Sequence, residues 1–349
     1  MKKMLLLALV GLMVVSMLAG CAGTVVVIDD CTCSGNEEVK PADGAVKTGL
    51  AVTTKISDST SAAEGKEGAI EYDVTMAAVT VDGEGVILSC SIDSVPATLK
   101  IDDSGSITSD ITAAIQTKNE RGAGYGMVAY GGAIAEWDAQ VAALCDYAVG
   151  KTVAELKNGA IDETGKAPEG SDLASSATIY LGGYVSAIEA AVKNAQYLGA
   201  SEGDTLALVT ENTQSSSVAA TEEKDGTAQL DVSIGVVTSK DGVITSCIID
   251  AVQAKINFSS KGVITSDLSA QVKTKNELGA DYGMVAWGNA KAEWNQQAAS
   301  FASYVTGKTL EQVNGIAVTE GKPADADLAA SVTISIGGFQ SLIAKALGT

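Results

Sequence analysis

The chain has 349 residues, a formal net charge of −20 and no histidine. Such acidity repels nucleic acid and anionic lipid headgroups, and the missing histidine excludes Ser-His-Asp and Cys-His catalysis, His-ligated zinc and His-ligated haem. Hydrophobic residues reach 46% but aromatics only 4%, so cores must be built mainly from Ala, Val, Ile and Leu, and the length suits two domains of ordinary size.

Residues 1–20 read as a secretory signal. Met1-Lys-Lys is followed by an apolar run from Met4 to Val15 and by small residues before Cys21. The run is shorter than the ~20 apolar residues of a membrane-spanning helix. Leu18-Ala-Gly-Cys21 resembles the bacterial lipobox. That resemblance implies a diacylated Cys21 as the mature N-terminus, a two-chain lipid anchor, and a location on the extracytoplasmic face of the cell membrane. Residues 21–48 lack sustained periodicity and read as a tether. Within them Thr24–Ile28 could form an edge strand, and Cys31-Thr-Cys33 is too closely spaced for an easy disulfide. Cys90 and Cys247 read as small buried hydrophobes.

A long internal repeat organises the rest. Ile107-Thr-Ser-Asp110, Thr117-Lys-Asn-Glu120, Tyr125-Gly-Met127, Glu136-Trp137 and Gly150-Lys-Thr152 all recur 157 residues later. Past a two-residue deletion, Asp172 and Gly182-Gly183 recur 155 residues later as Asp327 and Gly337-Gly338. This spacing predicts two tandem copies of one domain, 49–197 and 198–349, meeting near Gln196 to Ser201.

Each copy predicts an α+β fold, an antiparallel sheet packed by helices. In the first, Leu50–Ile56 and Ala69–Val81 read as strands, and Asp82-Gly83 (Asp241-Gly242 in the second) as a hairpin turn. Val86–Val95 returns with Val86, Leu88, Cys90 and Ile92 on one face, and Thr98–Ile101 reads as a further short strand. Ile134, Trp137, Val141, Leu144 and Ala148 follow a helical period, as do Trp294, Ala298, Phe301 and Val305. A short helix over Thr152–Lys157 follows, then an extended Ala177–Ile179, then helices over about Tyr184–Ala195 and Phe339–Ala346.

The candidate site is Asp172-Leu-Ala-Ser-Ser-Ala-Thr-Ile179, repeated as Asp327-Leu-Ala-Ala-Ser-Val-Thr-Ile334. Small residues leave the Thr hydroxyl accessible, Gly182-Gly183 permits close approach, and a helix begins just beyond. Asp172-x-x-Ser175-x-Ala177-Thr178 resembles the flavinylation motif of FMN-binding domains, which occur in sodium-pumping NADH:quinone oxidoreductases and in Gram-positive extracellular flavolipoproteins. The resemblance implies FMN joined by a flavin transferase to Thr178 through a phosphodiester, with Asp172 and Ser175 as motif residues. In the second copy Asp327 and Thr333 match, whereas Ala330 and Val332 depart from the pattern.

It further implies a lipid-anchored flavoprotein acting in electron transport, a carrier rather than a stand-alone enzyme, supplied by a membrane electron donor; nucleic acid is rejected as a partner by the acidic charge alone. Two alternatives stay open. The motif can be a tightly packed strand, and the protein a non-catalytic cell-surface binding or structural lipoprotein. Tyr125, Met127 and Trp137, with Tyr282, Met284 and Trp294, read either as flavin-stacking groups or as core, and Lys118-Asn119-Glu120 either as a polar ligand contact or as a solvated helix face.

Overall fold

The structure, a computed structural model, describes residues 44–348. The signal, the lipobox cysteine Cys21, Thr24–Ile28, Cys31 and Cys33 lie outside the described residues. The fold is mixed α+β, with antiparallel sheets covered by helices.

In the first copy, strands β1 (Ala45–Lys55), β2 (Gly68–Val81) and β3 (Ile87–Ile101) form an antiparallel meander. Helices α1 (Lys118–Arg121), α2 (Met127–Gly131), α3 (Trp137–Ala148), α4 (Val153–Ala160) and α5 (Gly182–Asn194) follow. Strand β4 (Gln196–Ser201) then returns to pair antiparallel with β1. In the second copy, β5 (Thr205–Thr213), β6 (Gly226–Lys240) and β7 (Val243–Phe258) form the matching meander. After it come α6 (Lys275–Leu278), α7 (Met284–Gly288), α8 (Trp294–Val305), α9 (Leu310–Asn314), a small hairpin of β8 (Val318–Thr319) and β9 (Lys322–Pro323), α10 (Ala326–Ser331) and α11 (Gly337–Leu347).

The two sheets lie face to face, and both copies belong to one compact unit. Ile70, Val74 and Met76 of β2 and Val95 and Leu99 of β3 share a core with Leu230, Val232 and Ile234 of β6 and Ile256 and Phe258 of β7. Two further cores occupy the outer faces. Val79, Ile87 and Ile92 pack on Val141 and Leu144 of α3 and Ile188 of α5, while Val237, Ile244 and Ile249 pack on Phe301 of α8 and Leu342 and Ile343 of α11. The layers therefore run helix, sheet, sheet, helix. The central strands are apolar on both faces because both faces are covered. Paired hydrogen bonds show that the contact between copies is reciprocal: Ala62 N donates to Gly262 O at 2.8 Å, and its counterpart Ala220 N donates to Gly105 O at 2.9 Å.

Several local expectations are corrected. Strand β1 begins at Ala45, inside the stretch read as tether, because β4 supplies a partner there. The junction at Gln196–Ser201 is itself a strand. Gly199 (φ +113°) lies so close to β7 that a Cβ would come within 2.5 Å of Thr245 O. Strand β3 continues through Pro96 instead of breaking into two, since it is an edge strand and a missing N–H is tolerated there. A bulge opposite Thr80 and Val81 breaks the alternation, so Ile87 joins Cys90 and Ile92 on the helix-covered face. In the first hairpin the positive φ falls on Gly85, while the second has Asp241 (φ 50°) and Gly242 (φ 77°). Ile134 precedes α3 and is exposed.

Candidate functional site

Each motif threonine sits on a buried glutamine. Gln140, in the second turn of α3, is fully enclosed. Its Oε1 accepts from Thr178 N at 2.8 Å, from Ile179 N at 3.2 Å and from the Thr178 hydroxyl at 3.3 Å. Its amide group donates to Ala135 O at 2.8 Å, so both ends of the side chain are satisfied. Gln297 of α8 repeats the arrangement: Thr333 N at 2.8 Å, the Thr333 hydroxyl at 3.1 Å, and donation to Ala292 O at 2.8 Å.

The motif is not an extended strand. Leu173–Ser175 forms a short 3₁₀ turn, Ala177–Ile179 is irregular, and in the second copy the equivalent segment is helix α10. The reason is the glutamine. With Gln140 accepting both amides, the backbone of Thr178 and Ile179 needs no sheet neighbour. Ala177 and Val332 belong to the outer cores, so that substitution is a difference of core filling.

Thr178, Ser175, Asp172 and Asp327 are exposed and Thr333 is half-buried. The Ser175 hydroxyl donates to Asp172 O at 2.6 Å, closing the turn. In the second copy that closing role passes to Asp325, whose carboxylate accepts from Asp327 N and Leu328 N, both at 3.1 Å. At the start of α5 a Cβ at Gly183 would meet nothing within 4 Å, whereas Gly182 is buried under the Tyr180 ring, whose hydroxyl would lie 2.5 Å from a Cβ there.

One turn before Gln140 lies a second cluster. Lys118, read as part of a solvated helix face, is only 6% exposed. Its ammonium pairs with Asp73 at 3.0 Å and lies 5.2 Å from the centre of the Trp137 ring and 5.6 Å from that of Tyr125. Burial works against its charge, but the Asp73 carboxylate, together with Tyr184 and Tyr125, holds the pKa above the usual lysine value. Trp137 Nε1 donates to the Tyr184 hydroxyl at 2.9 Å. In the second copy Phe339 replaces Tyr184, and the amides of Gln229 and Gln253 bind Asp231, the counterpart of Asp73. Lys275 there lies over Tyr282 and Trp294. Trp137 and Trp294 are thus core residues, with Tyr125, Tyr282, Met127 and Met284 half-buried beside them.

Glu136 completes the first cluster. Its carboxylate accepts from Met127 N at 2.8 Å and Val128 N at 3.1 Å, and Glu293 does the same for Met284 and Val285 at 2.9 and 3.0 Å. The segment from Glu136 to Gln140 therefore docks α2, shelters Lys118 and seats Thr178. Sequence reasoning reached Glu136-Trp137 but missed Gln140 and Gln297. The signal was available, because both copies place a polar residue on the apolar face of a helix at the same spacing. It also missed Tyr130 and Trp287, which stand almost fully exposed at equivalent positions, one turn past Gly126 (φ +85°) and Gly283 (φ +80°).

Among the described residues no group of three or more Cys, Asp or Glu could hold a metal ion, and no helix is long and apolar enough to cross a membrane. No protein-family model, curated protein or solved structure matches the chain.

Proposed function

We propose that this is a lipid-anchored, extracytoplasmic electron carrier bearing FMN covalently on Thr178, with Thr333 as the lesser acceptor. The observation that carries the reading is the seat of Thr178: an exposed threonine among small residues, its backbone fixed from below by a fully buried amide. A phosphodiester requires an oxygen that a transferase can reach and a backbone that does not retreat, and both requirements fit the residues present. Ester formation removes the hydroxyl proton and with it only the 3.3 Å bond to Gln140, the weakest of the three. The two backbone bonds that hold the segment remain. Thr333 is half-buried and its hydroxyl bond is shorter, 3.1 Å, which supports the ranking of the two sites.

When bound, FMN supplies reversible electron transfer, and the chain's task is to hold it. Thr178 would carry the phosphate, with Ser175 and Asp172 shaping the turn that presents it. The partners in this reading are a flavin transferase and a membrane electron donor, and Cys21 is the acylated anchor.

The test is co-expression with a flavin transferase in a host that exports and acylates lipoproteins, followed by fluorescence on a denaturing gel and intact mass. The wild type is expected to carry covalent FMN, Thr178→Ala to lose the major share, and Cys21→Ser to leave the membrane fraction. A wild-type protein with no covalent flavin overturns the cofactor assignment.

A second reading, a binding lipoprotein without a redox cofactor, is favoured by a separate observation, the cavity between the two copies.

A further inference from the structure

A cavity of about 790 Å³ opens where the copies meet. One wall comes from the first copy: Leu50 and Val52 of β1, Asn194 at the end of α5, and Tyr197 and Leu198 of β4. The other comes from the second: Ile248 and Asp250 of β7, Asn276 and Glu277 of α6, and Asn295 and Ser303 of α8. Its size falls within the ~300–1,000 Å³ of small-molecule sites, and a junction between packed units is a usual place for one. The lining combines apolar side chains with two carboxylates and amide groups, and no lysine or arginine of the described residues lines it. Lys47 lies over the ring of the lining residue Tyr197, 5.1 Å from its centre.

The internal repeat shows what such a place accepts. In the first copy the counterpart of Glu277 is Glu120. There the ammonium of Lys345, on α11, pairs with Glu120 Oε1 and donates to Thr210 O at 2.8 Å. The position on α5 that matches Lys345 is Ala190. Glu277 therefore faces its crevice without the lysine that neutralises Glu120. Both glutamates use Oε2 to cap their own helix, accepting from Thr117 N and Thr274 N at 2.8 Å. In Glu120 the remaining oxygen holds Lys345, whereas Glu277 Oε1 has no partner among the described residues.

We propose that this cavity binds a small organic cation, a primary ammonium on an apolar body, with Glu277 as its counter-ion. The ammonium takes the role that Lys345 fills in the other copy, and the apolar body packs on Leu50, Val52, Leu198 and Ile248. The strongly negative surface raises the local concentration of cations and suits capture of such a ligand from outside the cell. The inference stands independently of the flavin reading.

The test is isothermal titration of the full-length chain with hexylamine, and with hexanol and hexanoate as probes of the same length and different charge. Hexylamine is expected to bind saturably at one site, at least tenfold more tightly than hexanol, with hexanoate weakest. Glu277→Gln should weaken hexylamine at least tenfold while leaving hexanol unchanged. This variant is expected to fold, because Gln serves at that helical position as well as Glu does and the chain itself uses Thr309 with Gln312 in this way. Ala190→Lys supplies the ammonium internally and should abolish hexylamine binding. Absence of saturable binding, equal affinity for hexanol and hexylamine, or indifference to either substitution would each overturn the proposal.

Discussion

Replacing Gln140 with leucine tests the seat of the motif most directly. The two side chains are of similar size, so the change removes hydrogen-bonding groups without opening a large void. It leaves Thr178 N, Ile179 N and Ala135 O without their protein partner. Each unmet group costs about 1–3 kcal/mol, and the low end applies because all three residues retain some solvent access. Three such groups, partly offset by the gain of burying leucine, give a net loss of about 2–3 kcal/mol, a large share of the ~5–15 kcal/mol that stabilises a typical domain. Urea denaturation should show the midpoint falling at unchanged slope, and the amides of Thr178 and Ile179 should exchange with solvent faster than their neighbours do. A loss below about 0.5 kcal/mol together with unaltered exchange of those two amides would refute the argument that Gln140 anchors the segment.

Burial pushes the Asp250 carboxyl from an ordinary 3.8 up to about 6. A raised folded-state value means that its contribution is fully present below about pH 4 and is lost as the pH rises through 6, a swing of about 3 kcal/mol. Asp250→Asn keeps an acceptor for Ala251 N and Asn276 N. It should therefore gain stability relative to wild type between pH 4 and pH 7; a difference that does not change with pH refutes the assignment. Cys90 and Cys145 place their sulfurs 3.4 Å apart between β3 and α3, while Cys247 has Ala302 opposite it in the matching place. Mild oxidation, removing two protons and two electrons, should join the first pair and lower the intact mass by about two daltons. Closing that loop of chain stabilises by about 4 kcal/mol; a reductant-insensitive midpoint after oxidation counts against it.

The cysteines mark one boundary of what can be read from a chain. As sequence, Cys90 and Cys247 are equivalent small hydrophobes, and Cys145 falls on a helix far away in the chain. Only packing of α3 on β3 brings two of them together. The same holds for Lys118, whose Thr-Lys-Asn-Glu context looks like any polar helix start. Its burial depends on Asp73, Trp137 and Tyr184, which come from three distant segments. Polar residues declare their partners only when the fold is complete, because a hydrogen bond or ion pair is directional and can be met from anywhere in the chain.

Local elements behaved differently. The strand pairs of each meander, the helix pattern from Trp137 to Ala148 and the final helices follow from periodicity and turn chemistry, which act over a few residues. So does the repeat, since it is a property of the string itself. The stretch from Asp172 to Ile179 lies between the two cases. Its small residues and its exposed threonine are legible in the sequence; its irregular backbone is set by one buried amide, Gln140, that reaches it from another helix. The joining of the copies was decided by tertiary structure alone. Each meander is apolar on both faces, and its own helices cover only one of them. The remaining face of each is buried against the other copy, and that contact creates both the central core and the cavity between them.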